Sequence, residues 1–218
     1  MEKLLCGVDL GGTKLAAGLM RPDGKLIDRE VVYDHAGKDE QEVVRRIGDT
    51  VTALLSRQSL RVDDLAGIGV GFAGHLRFRD GVTITSSNYK GFKIKNFPLR
   101  GAIEKMFPTR VVVDNDANAQ GFAEYRYGAG VGHGSMVFVT LSTGIGAGIV
   151  LDGKIYRGMT GTAGEVGHMI VNPDTIARCL HWIVAAKSLE RIADHAKNIA
   201  EEVVYLCEAQ DIRHTLKN

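Results

Sequence analysis

VDLGGTKLAAGLM, residues 8–20, and VTLSTGIGAGIVL, residues 139–151, repeat one pattern in two parts of the chain. In each, an apolar strand-like run enters a turn of glycine and hydroxyl residues and leaves as a second apolar run. In the first copy the turn is Asp9-Leu10-Gly11-Gly12-Thr13-Lys14. Glycine lets backbone N–H groups approach phosphate oxygens closely. Thr13 and Lys14 add a hydroxyl and a cation, and a strand-end carboxylate such as Asp9 suits a hydrated Mg²⁺. Taken alone, a plain β-hairpin turn explains the same residues about as well. The GxxxxGK[ST] phosphate loop is absent. Two such hairpins in one chain favour a phosphate group clamped between two halves, with Asp9 and Thr143 facing it from opposite sides. The repeat is a duplicated hairpin rather than a short-period solenoid.

Working outward, residues 3–9 read as a buried strand, 14–20 as a second and 25–33 as a third after the turn Pro22-Asp23-Gly24. They form an antiparallel meander. Val43, Val44, Ile47, Val51, Leu54 and Leu55 recur at helical spacing within 39–57. Residues 65–74 read as a strand with its exit loop, 110–116 as another strand and 117–127 as a helix. Strands follow at 135–141, at 145–151 and from near Lys154. From about residue 182, apolar positions from Leu189 to Val204 trace one face of a helix. The spacing puts a hinge near 115–133. It divides the chain into 1–115, with the first phosphate loop, and 116–218, with the second loop and a helical tail.

The chain has 218 residues, 27 basic and 26 acidic, for a net charge of +1, and the basic residues are scattered. That balance argues against a nucleic-acid or membrane-surface partner. Cys6, Cys179 and Cys207 are too few and too far apart for a disulfide framework. With no signal-peptide pattern and no apolar run of membrane-spanning length, the expectation is a cytoplasmic chain.

Two further motifs carry chemistry. Asp114-Asn115-Asp116-Ala117-Asn118 lies at a strand end before a helix. An acid there is well placed to accept a hydroxyl proton, the one base that phosphoryl transfer needs besides positioning. Helix capping accounts for one of these residues but does not need four polar residues in five. In Gly161-Thr162-Ala163-Gly164-Glu165-Val166-Gly167-His168, Glu165 and His168 sit three apart on a glycine-rich loop, a setting that suits hydrogen bonds to sugar hydroxyls.

In this order the motifs resemble those of the ROK (repressor, open reading frame, kinase) family, in particular its glucokinase-like members. DLGGTK resembles the first phosphate motif, STGIGAG the second and NDAN the catalytic motif. GEVGH resembles the start of the family signature, and GVGFAG with Ser86-Ser87-Asn88-Tyr89-Lys90-Gly91-Phe92 resembles the sugar-facing loop. The resemblance covers residue 3 to about 173. It implies an α/β, actin-like (ribonuclease H-like) two-domain sugar kinase fold with an incomplete second domain. ATP and Mg²⁺ would lie in the cleft and a hexose would be the substrate. Carried over, Asp116 is the base. Gly74, Asn88, Asn115, Glu165 and His168 hold the sugar. Asp9, Gly11, Gly12, Thr13, Lys14, Thr143 and Gly144 surround the phosphates.

The resemblance breaks after His168. Family members continue with a CxCGxxGCxE zinc module. Here Cys179 and His181 are what remains of it in Ala177–Ala186, so structural zinc, expected for the family, is not expected here. A truncation, a shifted reading frame or an altered terminus accounts equally for the difference. The implied consequences are weak or no kinase activity from residues 1–218 and association with another chain, such as a homodimer. Two rivals remain beside the kinase. One is a sugar-binding remnant without turnover. The other is a sugar-sensing repressor, disfavoured because the phosphate motif at Asp9 leaves no room for a preceding DNA-binding domain.

Overall fold

The computed structural model describes residues 2–12, 14–33, 39–86, 93–141 and 145–168. The helix expected from about residue 182 and the zinc-like residues Cys179 and His181 lie outside the described residues.

The chain opens with β1 (Leu4–Leu10), β2 (Lys14–Met20) and β3 (Leu26–Tyr33), paired antiparallel in sequence. Helix α1 (Glu40–Arg57) follows. Asp39 caps it, its Oδ1 accepting the Glu42 N–H at 2.8 Å, and Glu40 and Glu42 place negative charge on the positive end of the helix. All six apolar positions that mark the helix in the sequence are buried. After α1 the chain returns as β4 (Leu65–Phe72), parallel to β1, as a helical crossover allows.

Next come β5 (His75–Arg77) and β6 (Val82–Thr85), a two-stranded hairpin, and α2 (Leu99–Met106). None of these three is apparent from hydrophobic spacing. The hairpin strands are too short to show alternation, and α2 buries little beyond Leu99 and Ile103. β7 (Val111–Asn115) then joins β4 in parallel and completes a five-stranded sheet of order β3-β2-β1-β4-β7. α3 (Asp116–Tyr127) begins at the next residue. β8 (Met136–Leu141), β9 (Ile145–Leu151) and β10 (Lys154–Ile155) form a separate antiparallel meander. The tight β9–β10 turn puts Asp152 at φ 48° and Gly153 at φ 75°, the left-handed pair that short hairpins favour.

The register of the larger sheet sets its two faces. On the α1 side three rows cross β2, β1, β4 and β7. They are Leu19-Cys6-Ile68-Val111, Ala17-Val8-Val70-Val113 and Leu15-Leu10-Phe72-Asn115. Eleven of these twelve residues are buried apolar groups of one core with Val43, Ile47, Val51 and Leu54 of α1. Burial pushes the Cys6 thiol up to about 12, so it packs as a small apolar group. The opposite face carries the row Ala16-Asp9-Gly71-Asp114. A Cβ at Gly71 would lie 3.5 Å from the Cα of Asp116 and 3.6 Å from the Cβ of Ala119. Those are ordinary van der Waals distances, so α3 lies against this face of the sheet at normal packing separation.

α3 meets the second sheet more closely. A Cβ at Gly121 would come within 3.1 Å of the Gly148 Cα, and one at Gly148 would strike the Ala117 carbonyl oxygen. Gly148→Ala is therefore expected to cost about 1–3 kcal/mol by overpacking against backbone. Gly69→Ala, whose new methyl would meet nothing within 4 Å, is expected to change stability by less than about 0.5 kcal/mol. Denaturant unfolding of the two variants checks the contrast. Equal losses would show that the α3–β9 contact yields without cost.

Candidate functional site

The end of β7 joins the sheet to the site. Four polar residues in five leave the strand and enter α3. Asn115 is the N-cap: its Oδ1 accepts the N–H groups of Ala117 at 2.9 Å and Asn118 at 3.3 Å. Its Nδ2 donates to the Gly74 carbonyl at 3.3 Å. Asp114 Oδ1 accepts the Asn115 N–H at 2.8 Å and Asn118 Nδ2 at 3.1 Å. Asn118 is buried. Three of the four are thus committed to shaping the junction, and Asp116 is left half-buried at the first helical position, accepting the Ala117 N–H at 2.9 Å.

Burial pushes the Asp116 carboxyl above the usual carboxylate range. The Ala117 N–H pulls it down, while the carboxylates of Asp9 and Glu165 push it further up. The structure therefore brings Asp9, Asp116 and Glu165 within electrostatic reach of one another, although they lie in three distant stretches of sequence. Asp9 is half-exposed at the end of β1, with Lys14 Nζ 3.7 Å from its Oδ2. Gly11 donates its N–H to the Lys14 carbonyl at 3.1 Å, closing the first glycine turn, in which Gly12 is partly exposed. Among the described residues no group of three or more His, Cys, Asp or Glu side chains is gathered closely enough to hold a metal ion by protein ligands alone.

Glu165 is presented by the glycine loop after β10. Gly164, at φ 95°, gives its carbonyl to the Ala147 N–H at 2.7 Å, and a Cβ there would strike the Ala147 carbonyl oxygen. The loop is therefore pinned to β9 by backbone. Glu165 Oε1 lies 2.9 Å from His75 Nε2. His75 is a site neighbour that the sequence reading missed, since a single histidine after a strand carries no spacing signal. Gly74 precedes it. A Cβ at Gly74 would lie 2.5 Å from the Thr85 carbonyl oxygen, so glycine is required for the β4–β5 turn to pack on β6. Ser86 is buried, and its hydroxyl donates to the Ala73 carbonyl at 2.8 Å. Of the remaining sequence candidates, Thr13, Asn88, Thr143 and Gly144 lie outside the described residues, as does the side chain of His168.

The raised Asp116 carboxyl has a signed consequence. In the unfolded chain an aspartate titrates near ~3.9, and in the folded chain Asp116 titrates higher. Its contribution to stability is fully present below the unfolded value and is lost as pH rises through the folded one. Asp116→Asn should therefore match the parent near pH ~3.5 and become the more stable of the two as pH approaches neutrality. Chemical denaturation across that range reads the difference. A gap that closes with rising pH would mean a depressed carboxyl instead.

The ROK family profile matches residues 5–216. A glucokinase of Halalkalibacterium halodurans is 34% identical over 199 residues, covering 88% of this chain and 59% of that protein. A xylose repressor of Caldicellulosiruptor bescii is 30% identical over 176 residues, covering 80% of this chain and 43% of that protein. Among solved structures, a ROK family glucokinase from Streptomyces griseus in complex with glucose and AMPPNP superposes with a TM-score of 0.68 at 34% identity, over 79% of this chain and 52% of that one. The chain thus spans about half of the length of these relatives. The motif order, the mixed sheet with its helical crossover and the profile match over nearly the whole chain agree: this chain belongs to the ROK family.

Proposed function

We propose that this chain carries the sugar-activating and phosphate-facing part of an ATP-dependent hexose kinase of the glucokinase type, with Asp116 as general base. The observation that carries the reading is the position of Asp116. It is a half-buried carboxyl at a strand-to-helix junction, raised by burial and also by the charges of Asp9 and Glu165. A base so tuned binds a proton more readily than an ordinary aspartate, as proton transfer from a hydroxyl requires.

In this reading Asp116 takes the proton from one hexose hydroxyl as that oxygen forms its bond to the γ-phosphorus of ATP and the bond to the β-phosphate oxygen breaks. Phosphoryl transfer asks the protein mainly for alignment and charge. Asn115, Gly74 and Glu165 lie around Asp116 and would orient the sugar. Asn88 and His168 join them by family resemblance alone. Gly11 and Gly12 would present backbone to the phosphates, with Thr13, Lys14, Thr143 and Gly144 beside them. Asp9, half-exposed at its strand end, fits a hydrated Mg²⁺, which takes one or two carboxylates and keeps several waters. That ion would neutralise charge on the phosphates. The same reading divides the chain at the β7–α3 junction, into 1–115 and 116–218.

The glucose and AMPPNP of the Streptomyces griseus structure support a hexose and an adenine nucleotide as the ligand classes. A coupled assay for nucleoside diphosphate release over a panel of hexoses tests the proposal. Asp116→Asn is expected to lower the rate by on the order of 10²–10⁴-fold while leaving hexose binding measurable. Near-parent turnover in that variant would remove Asp116 as the base. Hexose binding without turnover in the parent would make the chain a sugar-binding protein.

A further inference from the structure

Arg157 follows β10 and was not marked by any motif. Its side chain is about three-quarters buried, at 26% exposure, and reaches Asp114, at 14%. Nη2 and Nε donate to Asp114 Oδ2 at 2.6 and 3.1 Å. The guanidinium carbon lies 3.5 Å from the centroid of the Phe78 ring, the residue that follows β5. Arg157 Nη1 also donates to the Ile155 carbonyl at 3.5 Å. The backbone carbonyl of Arg157 accepts the Ala163 N–H at 3.1 Å and so closes the loop that leads to Glu165.

These contacts put one residue at the meeting of the β7–α3 junction, the loop that leads to Glu165 and the segment that follows β5. Through Asp114 Oδ2 it loads the carboxylate whose other oxygen holds the Asn115 N–H and Asn118 Nδ2. Asn115 caps the first turn of α3, and Asn118 lies in that turn with Asp116. Through its own backbone it anchors the Glu165 loop. Through Phe78 it touches the end of the strand that begins with His75, the partner of Glu165. A planar guanidinium can donate in two directions and stack on a ring at once, whereas an ammonium cannot. A half-buried arginine–carboxylate pair gains in strength from this environment, and its loss leaves the remaining carboxylate unmatched.

We propose that Arg157 is a positioning residue that acts through Asp114 to hold the first turn of α3, and with it Asp116, in register with the Glu165 loop. The proposal rests on the reading of Asp116 as the base, and its effect on rate depends on that reading. Its effect on structure does not.

The test uses the full 218-residue chain with Arg157→Met, which removes the side-chain contacts and keeps the backbone bond to Ala163. Arg157→Lys is the second variant. It keeps the charge but loses the two-point grip and the stacking, and serves the same comparison if the Met variant does not fold. Amide hydrogen exchange is read at Asn115 and Asn118, against Val51 and Leu54 of α1 as reference. The expected result is faster exchange at Asn115 and Asn118 with the α1 amides unchanged. In the hexose assay kcat is expected to fall on the order of 10–100-fold, with a smaller rise in hexose KM. Unchanged protection at Asn115 and Asn118 would overturn the proposal. Loss of protection shared equally by α1 would also overturn it, since it would show a general stabilising role. A parent chain that phosphorylates no hexose would count against the kinase reading, and the exchange data would still decide the role of Arg157.

Discussion

The close approach of α3 to two sheets is the constraint on which the rest of the arrangement depends. The helix lies over Gly71 of β4 on one side and against Gly148 of β9 on the other, with Gly121 as its own contact point. At Gly121 and Gly148 backbone crowds the place a side chain would take, whereas at Gly71 a Cβ would make ordinary van der Waals contact. The first turn of α3 carries Asp116. The glycines at these contacts therefore act in packing, while the glycines of the two hairpin turns are the ones proposed to face phosphate.

Charge at the β7–α3 junction is distributed by the same geometry. Asp114 and Asp116 are two residues apart, yet they do different work. Asp114 stands in the strand row beside Gly71 and is engaged by Arg157 and by amide groups of Asn115 and Asn118. Asp116 has turned onto the helix, where burial and the facing carboxylates of Asp9 and Glu165 favour its neutral form. A single stretch thus supplies one carboxylate held by an arginine and by amides and one whose neutral form is favoured by burial. Asn115 belongs with the first group by its capping bonds and with the site by its contact to the Gly74 carbonyl.

Two layers of support surround the carboxylates. Backbone contacts, such as Ala147 to the Gly164 carbonyl, set where the Glu165 loop can lie. Side-chain contacts, such as His75 to Glu165 and Arg157 to Asp114, set where the functional groups point within that frame. Catalysis that works by alignment depends on the second layer as much as on the groups that touch the substrate.

Much of this was legible in the order of residues alone. Strand and helix positions followed from local periodicity: β2 spans the expected residues 14–20, and the six apolar positions of α1 are all buried. The motifs DLGGTK, NDAN and GEVGH were visible because each packs its chemistry into a few consecutive residues. The short β5–β6 hairpin and α2 were not visible, because elements of three, four and eight residues bury too little to leave a pattern. Nor could one sequence divide the polar residues at the junction. Which of Asp114, Asn115, Asp116 and Asn118 caps, which pairs and which stays free depends on partners 40 or more residues away, Gly74 and Arg157 among them. The sequence by itself determined the longer elements and the chemical types at the site, since both are local properties of the chain. The tertiary structure alone decided that Asp9, Asp116 and Glu165 come within electrostatic reach of one another and that Arg157 ties Asp114 to the loop that leads to Glu165, because those are relations between segments that meet only once the chain has folded.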